Sequence, residues 1–297
     1  MDVINFIAGI PLFYMILAFV VGLMIGSFLN VVIYRLPVML EHEWKHQCSE
    51  IMNLDPVAET ARFNLLTPAS RCPSCGHRIT IAQNIPILSY LLLHGKCAAC
   101  SARISPRYPV VELLTGIVSF LVVWRFGFTL EALAALFLSW TLIALSGIDL
   151  DHKLLPDSLT LLLLWTGLLI SLASKPVSAE TLFINPVDSI AGAVIGYLAL
   201  WSVYQLFLLI TGKEGMGYGD FKLLAALGAW LGYQQLPLII FFSALVGALA
   251  GIIMIVTLGR DRQIPIPYGP YLAAAGWVAL MWGSDISAYY FHIAGLA

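Results

Sequence analysis

Two C-x-x-C pairs stand 21 residues apart, Cys72-Pro-Ser-Cys75 and Cys97-Ala-Ala-Cys100. Four thiolates at that spacing are the ligand set of a zinc ribbon with a slightly long central loop, and Gly76 and Gly95 suit the tight turns beside each pair. Four sulfurs would leave no open position, so such a metal is structural. The competing reading is two disulfides, and it depends on the compartment. Cys48 stands apart and is read as a filler.

A second group is acidic. Asp149 and Asp151 lie in Ser146-Gly-Ile-Asp-Leu-Asp-His-Lys-Leu-Leu-Pro-Asp157, and Asp220 lies in Gly217-Tyr-Gly219-Asp220. Two carboxyl groups brought close together share a proton, because both cannot easily ionise. The ionised one can take a proton from water while the protonated one polarises a carbonyl. Gly217 and Gly219 would let a peptide strand approach the backbone beside Asp220. The alternative makes these acids helix-end residues at the headgroups, with Asp157 an N-cap and Asp151, before His152 and Lys153, a wetter, ion-paired site. A third pattern, His42-Glu43-Trp44-Lys45-His46, matches the H-E-x-x-H of zinc peptidases. No third ligand follows nearby, and an amphipathic helix on the membrane surface explains it as well.

The elements that must position these groups are membrane helices. Of 297 residues 60% are hydrophobic and 11% charged, far from the roughly 45–50% and about 25% of soluble domains. A net charge of −2 gives no basis for nucleic-acid binding. Apolar runs at about 8–33, 109–125, 129–148, 158–174, 187–211, 221–233, 236–258 and 268–283 predict eight helices, with 221–233 short for a span. The first run, without basic residues before it, reads as a retained helix and not a signal peptide. The fold class is therefore an all-α polytopic membrane protein, divided into 1–36 (first helix), 37–108 (a small cytoplasmic zinc-ribbon-like domain) and 109–297 (seven helices). No internal repeat is evident. If 35–107 is cytoplasmic, all of the 15 basic residues except Arg125 and Lys175 fall inside, as the positive-inside rule requires. Both termini are then outside, Asp149 and Asp220 share the cytoplasmic face, and the cysteines sit where disulfides seldom persist.

With those residues in view, the chain resembles the bacterial type IV prepilin peptidases, bifunctional leader peptidase/N-methyltransferases of the inner membrane. The resemblance runs nearly the whole length and rests on four segments in order. They are Gly26-Ser-Phe-Leu-Asn-Val-Val-Ile-Tyr-Arg-Leu-Pro37, the paired C-x-x-C domain, Asp149 to Asp157, and the G-x-G-D of Gly217 to Asp220. It implies cleavage of a basic leader after Gly from prepilins of type IV pili and pseudopilins of type II secretion. It also implies methylation of the new N-terminal residue, usually Phe, from S-adenosylmethionine. Catalytic aspartates carry over to Asp149 and Asp220, and zinc ligands to Cys72, Cys75, Cys97 and Cys100. The methyl-donor site is sought near Asn30, Arg35, Glu41, Glu43, Gly95 and Lys96. The family does not use zincin chemistry at His42 and His46.

Two other classes compete. An ion-coupled transporter needs acids near the bilayer midplane, whereas Asp149 and Asp220 fall at helix ends. A non-enzymatic assembly factor of a pilus or secretion machine would use the zinc domain for docking and would not need either aspartate. Neither accounts for the glycines around Asp220.

Overall fold

A chain whose backbone polar groups must be satisfied away from water folds its long apolar runs as helices. The computed structural model describes residues 11–53, 63–172, 184–258 and 266–295, and each of the eight runs is a helix in it. Arg62, Lys175, Arg260 and Arg262, used above for orientation, lie outside the described residues. The elements are α1 (Pro11–Ile51), a 3₁₀ turn (Ala82–Asn84), α2 (Leu88–Leu92), α3 (Arg107–Phe126), α4 (Leu130–His152), α5 (Asp157–Leu172), α6 (Pro186–Thr211), α7 (Tyr218–Leu231), a second 3₁₀ turn (Tyr233–Gln235), α8 (Leu236–Leu258) and α9 (Gly269–Ile293). Among the described residues, five stretches are long and apolar enough to cross a membrane: α1, α3, α4, α6 and Tyr233–Thr257. The protein is an integral membrane protein.

The chain divides into two compact units, Met1–Phe128 and Thr129–Ala297. In the first, α1 packs along α3. Gly22 and Gly26 allow it: a Cβ at 22 would lie 2.5 Å from Ser119 Oγ, and one at 26 would lie 2.7 Å from Glu112 Cα. Small residues four apart are the usual means of close helix approach in lipid. Helix α1 does not end near residue 36. It continues through Pro37 to Ile51, so the amphipathic helix expected to carry His42 to His46 is its extension and not a separate element.

The two C-x-x-C pairs form a short repeat that the sequence reading overlooked. Cys72 N–H donates to His77 O and Gly76 N–H to Cys72 O, both at 2.9 Å; Cys97 N–H donates to Ala102 O at 2.8 Å and Ser101 N–H to Cys97 O at 3.0 Å. Isolated antiparallel bridges, Arg71 with Arg78 and Lys96 with Arg103, close the two turns. Arg71-Cys-Pro-Ser-Cys-Gly-His-Arg-Ile79 and Lys96-Cys-Ala-Ala-Cys-Ser-Ala-Arg-Ile104 are thus one knuckle used twice. The position after each second cysteine has positive φ, +69° at Gly76 and 58° at Ser101.

In the second unit α7 is central. All its residues from Asp220 to Leu231 are buried except the partly exposed Lys222, against α5, α6, α8 and α9. A helix apolar all round belongs inside a protein. Its 14 residues give about 21 Å, less than the roughly 30 Å hydrocarbon core, and burial within the unit is why so short a run suffices. The α6 and α7 backbones meet at Gly192 and Gly228, where a Cβ on Gly228 would collide with Gly192 O. Ser189 Oγ donates to Ala229 O at 2.6 Å, and Trp230 Nε1 donates to Leu163 O at 2.8 Å.

Candidate functional site

Asp149 falls in the last turn of α4, which stops where Lys153 turns left-handed at φ 53° and donates its N–H to Asp149 O. The side chain points inward and is 5% exposed. Its Oδ2 accepts a 3.0 Å hydrogen bond from the backbone N–H of Gly269, the first residue of α9. Asp220 lies in the first turn of α7, after the cap residue Gly217. It is 8% exposed and within electrostatic reach of Asp149, and its own backbone N–H donates to Gly217 O at 3.2 Å. Two buried carboxyls of one unit therefore lie within electrostatic reach of each other, and Asp149 is tied to the N–H of Gly269.

The surrounding glycines have different tasks. A Cβ on Gly269 would lie 2.7 Å from Asp149 Oδ2, and one on Gly219 would lie 2.7 Å from Leu155 Cβ. Gly217 is looser, its Cβ position 3.8 Å from Asp220 Oδ2. So 269 and 219 need glycine for packing, while 217 leaves space beside the carboxyl. Tyr268, just before Gly269, shares a 2.6 Å hydrogen bond with Ser243 of α8, which fixes the start of α9. Sequence reasoning missed Gly269. The cluster Pro267-Tyr-Gly-Pro270 directly before an apolar run was the available signal.

The neighbouring acids stand apart from this pair. Asp151 is exposed, as expected two residues along a helix from an inward side chain. Asp157 opens α5, but its carboxylate takes Lys222 Nζ at 2.6 and 2.7 Å, so it is an ion-pair partner in place of the expected cap. That pair ties the start of α5 to α7.

The four expected cysteines do come together: their sulfurs all lie within 4.8 Å of one another, with Cys72 and Cys100 3.9 Å apart. Backbone N–H groups of Cys75 and Ser74 pull the Cys72 thiol down to about 6. Those of Cys100 and Ala99 likewise lower Cys97. Amide donors aimed at sulfur favour thiolate, the form that binds metal, and the cluster can hold a metal ion. Among the described residues it is the one such group. His42 instead stacks on Phe63, ring centroids 6.4 Å apart, and His46 Nδ1 faces Glu50 at 3.4 Å.

The residues considered for the methyl donor have separate partners. Asn30 Nδ2 donates to Tyr108 O at 3.1 Å. Arg35, buried, donates to Asn64 O at 2.9 Å and Pro68 O at 2.6 Å and lies over the Phe63 ring. Glu41 pairs with Lys45 at 2.6 Å, and Glu43 Oε1 accepts from Gln47 at 3.4 Å. Gly95, at φ +67°, opens the second knuckle, and Lys96 bridges Arg103 within it. Another acid was overlooked: Glu112, buried in α3, whose Oε2 accepts the Ile87 N–H at 2.8 Å. A lone acid inside an apolar run was its signal.

Residues 20–126 match the bacterial peptidase A24 N-terminal domain, and residues 136–252 match the type IV leader peptidase family. The chain is 54% identical to a prepilin leader peptidase/N-methyltransferase of Stutzerimonas stutzeri, covering 100% of both chains. It is 52% identical to the one of Pseudomonas aeruginosa, covering 99% of both, and 53% identical to the one of Aeromonas hydrophila, covering 95% of both. No solved structure matches the chain. Similarity of this extent, spanning both units, shows that the chain belongs to the type IV leader peptidase family.

Proposed function

We propose that the protein is an enzyme of two activities, an aspartyl endopeptidase that removes the leader from type IV prepilins and an N-methyltransferase for the residue so exposed. The observation that carries the first is the buried pair Asp149 and Asp220, within electrostatic reach of each other, with Asp149 tied to the Gly269 N–H. In this reading the ionised carboxyl takes a proton from a water held between the two acids, and the water oxygen attacks the carbonyl carbon after the leader's Gly. The protonated carboxyl gives its proton to the carbonyl oxygen. Collapse breaks the C–N bond, and the departing amine takes up a proton. Space beside Gly217 admits the substrate backbone.

The second activity is supported by the names of the relatives at about half identity over their full length. S-adenosylmethionine would supply the methyl group, and Asn30, Arg35, Glu41, Glu43, Gly95 and Lys96 belong to the unit proposed to receive it. Arg35 acts there through the 63–68 backbone it holds. Cys72, Cys75, Cys97 and Cys100 would bind one structural zinc, with backbone N–H groups of both knuckles donating to the thiolate sulfurs. The substrates extend to the pseudopilins of type II secretion. The enzyme sits in the inner membrane, with both termini periplasmic and the aspartates at the cytoplasmic face, where a prepilin anchored by its apolar helix presents its leader junction.

Purified protein in detergent, given a prepilin and radiolabelled S-adenosylmethionine, should release the leader and label the mature pilin. Labelling without leader release, or neither, would refute the assignment.

A further inference from the structure

The segment between the two knuckles carries an apolar face that neither activity uses. Ile81 is 91% exposed and Leu92 70%, with Ile85, Leu88 and Leu91 also exposed. The segment is nonetheless held by hydrogen bonds of its own. Ser89 Oγ donates to Gln83 O at 2.7 Å, and Thr80 N–H donates to Gln83 Oε1 at 3.1 Å. Ile87, a β-branched residue held at φ 59°, is in a conformation that costs energy unless its surroundings enforce it. The Glu112 carboxylate enforces it by accepting the Ile87 N–H at 2.8 Å.

That contact fixes the depth of the segment. Helix α3 has 20 residues, about 30 Å, just the thickness of the hydrocarbon core. Glu112 lies five residues in from Arg107, or about 7.5 Å along the axis. Interfacial helices bury their apolar face roughly 5–10 Å into the headgroup and acyl boundary. The surrounding charge has one sign: from Phe63 to Val111 the sequence has no Asp or Glu, and it has Arg71, Arg78, Lys96, Arg103 and Arg107. Basic residues beside a membrane helix suit an anionic leaflet, at about 1 kcal/mol each.

We propose that Ile81–Leu92 is an interfacial anchor that inserts its isoleucines and leucines into an anionic lipid leaflet. Glu112 pins it at that depth, and the basic residues of the two knuckles meet the lipid phosphates. The polar loop between two spans is thereby seated on the bilayer.

The test uses the full chain in vesicles of phosphatidylethanolamine and phosphatidylglycerol, with the photoreactive residue benzoylphenylalanine placed singly at Ile81, Leu91, Leu114 or Ser74. Leu114 is exposed on α3 and reports lipid; Ser74 is exposed on the first knuckle and reports solvent. After irradiation, mass spectrometry should find lipid adducts at 81 and 91 at no less than half the yield at 114, and at least tenfold above that at 74. Replacing phosphatidylglycerol with phosphatidylcholine should lower the yield at 91 at least twofold and leave 114 unchanged. Yields at 81 and 91 no higher than at 74, cross-links at 91 to a second copy or to added prepilin in place of lipid, or indifference to the anionic lipid would each overturn the proposal. Retained zinc in each variant confirms that the unit is folded.

Discussion

Substituting Gly269 with alanine should disable peptide cleavage while leaving the protein folded. The added Cβ would stand 2.7 Å from Asp149 Oδ2. Ordinary van der Waals contact begins near 3.4 Å, so the carboxylate must retreat by about 0.7 Å, and the 3.0 Å bond from Gly269 N–H is lost. A hydrogen bond to a charged group contributes about 1.5–3 kcal/mol, which converts to roughly 10- to 150-fold in rate if it is needed in the transition state. A displacement approaching 1 Å at the reacting groups costs on the order of 100-fold. Gly269 does not have positive φ, so alanine meets no left-handed strain there. The expected result is a fall in kcat for prepilin cleavage of about 10- to 100-fold, with KM little changed and methylation of an already processed pilin retained. Gly276→Ala serves as the control in the same helix, since its Cβ would meet the movable side-chain end of Leu227. Wild-type kcat in Gly269→Ala, or equal losses in both variants, would refute the role given to the Gly269 amide.

Gly228→Ala drives a Cβ into backbone on the facing helix, so α6 and α7 must separate; overpacking of this kind costs roughly 1–3 kcal/mol or more, read as a fall in Tm in detergent. Arg35→Ala should lower stability by about 3 kcal/mol, because two carbonyls lose a charged donor. Arg35→Lys should recover less than half of that, lacking the planar fork, by the same measurement. Cys100→Ser should reduce bound zinc from about one per chain to about none by atomic emission. In the wild type the Cys72 thiol sits near 6, below its ordinary value. Its thiolate is therefore present at pH 7 and lost as pH falls through that value, so a chelator should strip zinc faster at pH 5 than at pH 7.

Periodicity and length revealed the eight helices because lipid and protein interior impose the same apolar demand on a helix. They could not reveal that α7 is enclosed by its neighbours over Leu223–Leu231, since a run facing lipid and a run facing other helices look alike. The course of α1 through Pro37 was hidden for a similar reason: proline is read as a break, and a membrane helix can tolerate one. The cysteine cluster was legible from its spacing, yet the repeat of its two knuckles escaped notice because it is only nine residues long and differs in its middle. Asp149 and Asp220 stood out as acids beside apolar runs. Gly269, 120 residues from Asp149, did not, because a backbone N–H carries no sequence signature. Arg35 was placed near the methyl-donor site by the resemblance, and its bonds to the chain's own carbonyls at 64 and 68 have no sequence signature.

The most direct test of the central claim is prepilin cleavage by the purified single variants Asp149→Asn, Asp220→Asn, Asp151→Asn and His46→Ala. The account predicts that cleavage is abolished in the first two, with the protein still folded and zinc-loaded, and persists in the other two. Cleavage retained in Asp149→Asn and Asp220→Asn, with loss in His46→Ala, would contradict it and point to a zinc peptidase instead.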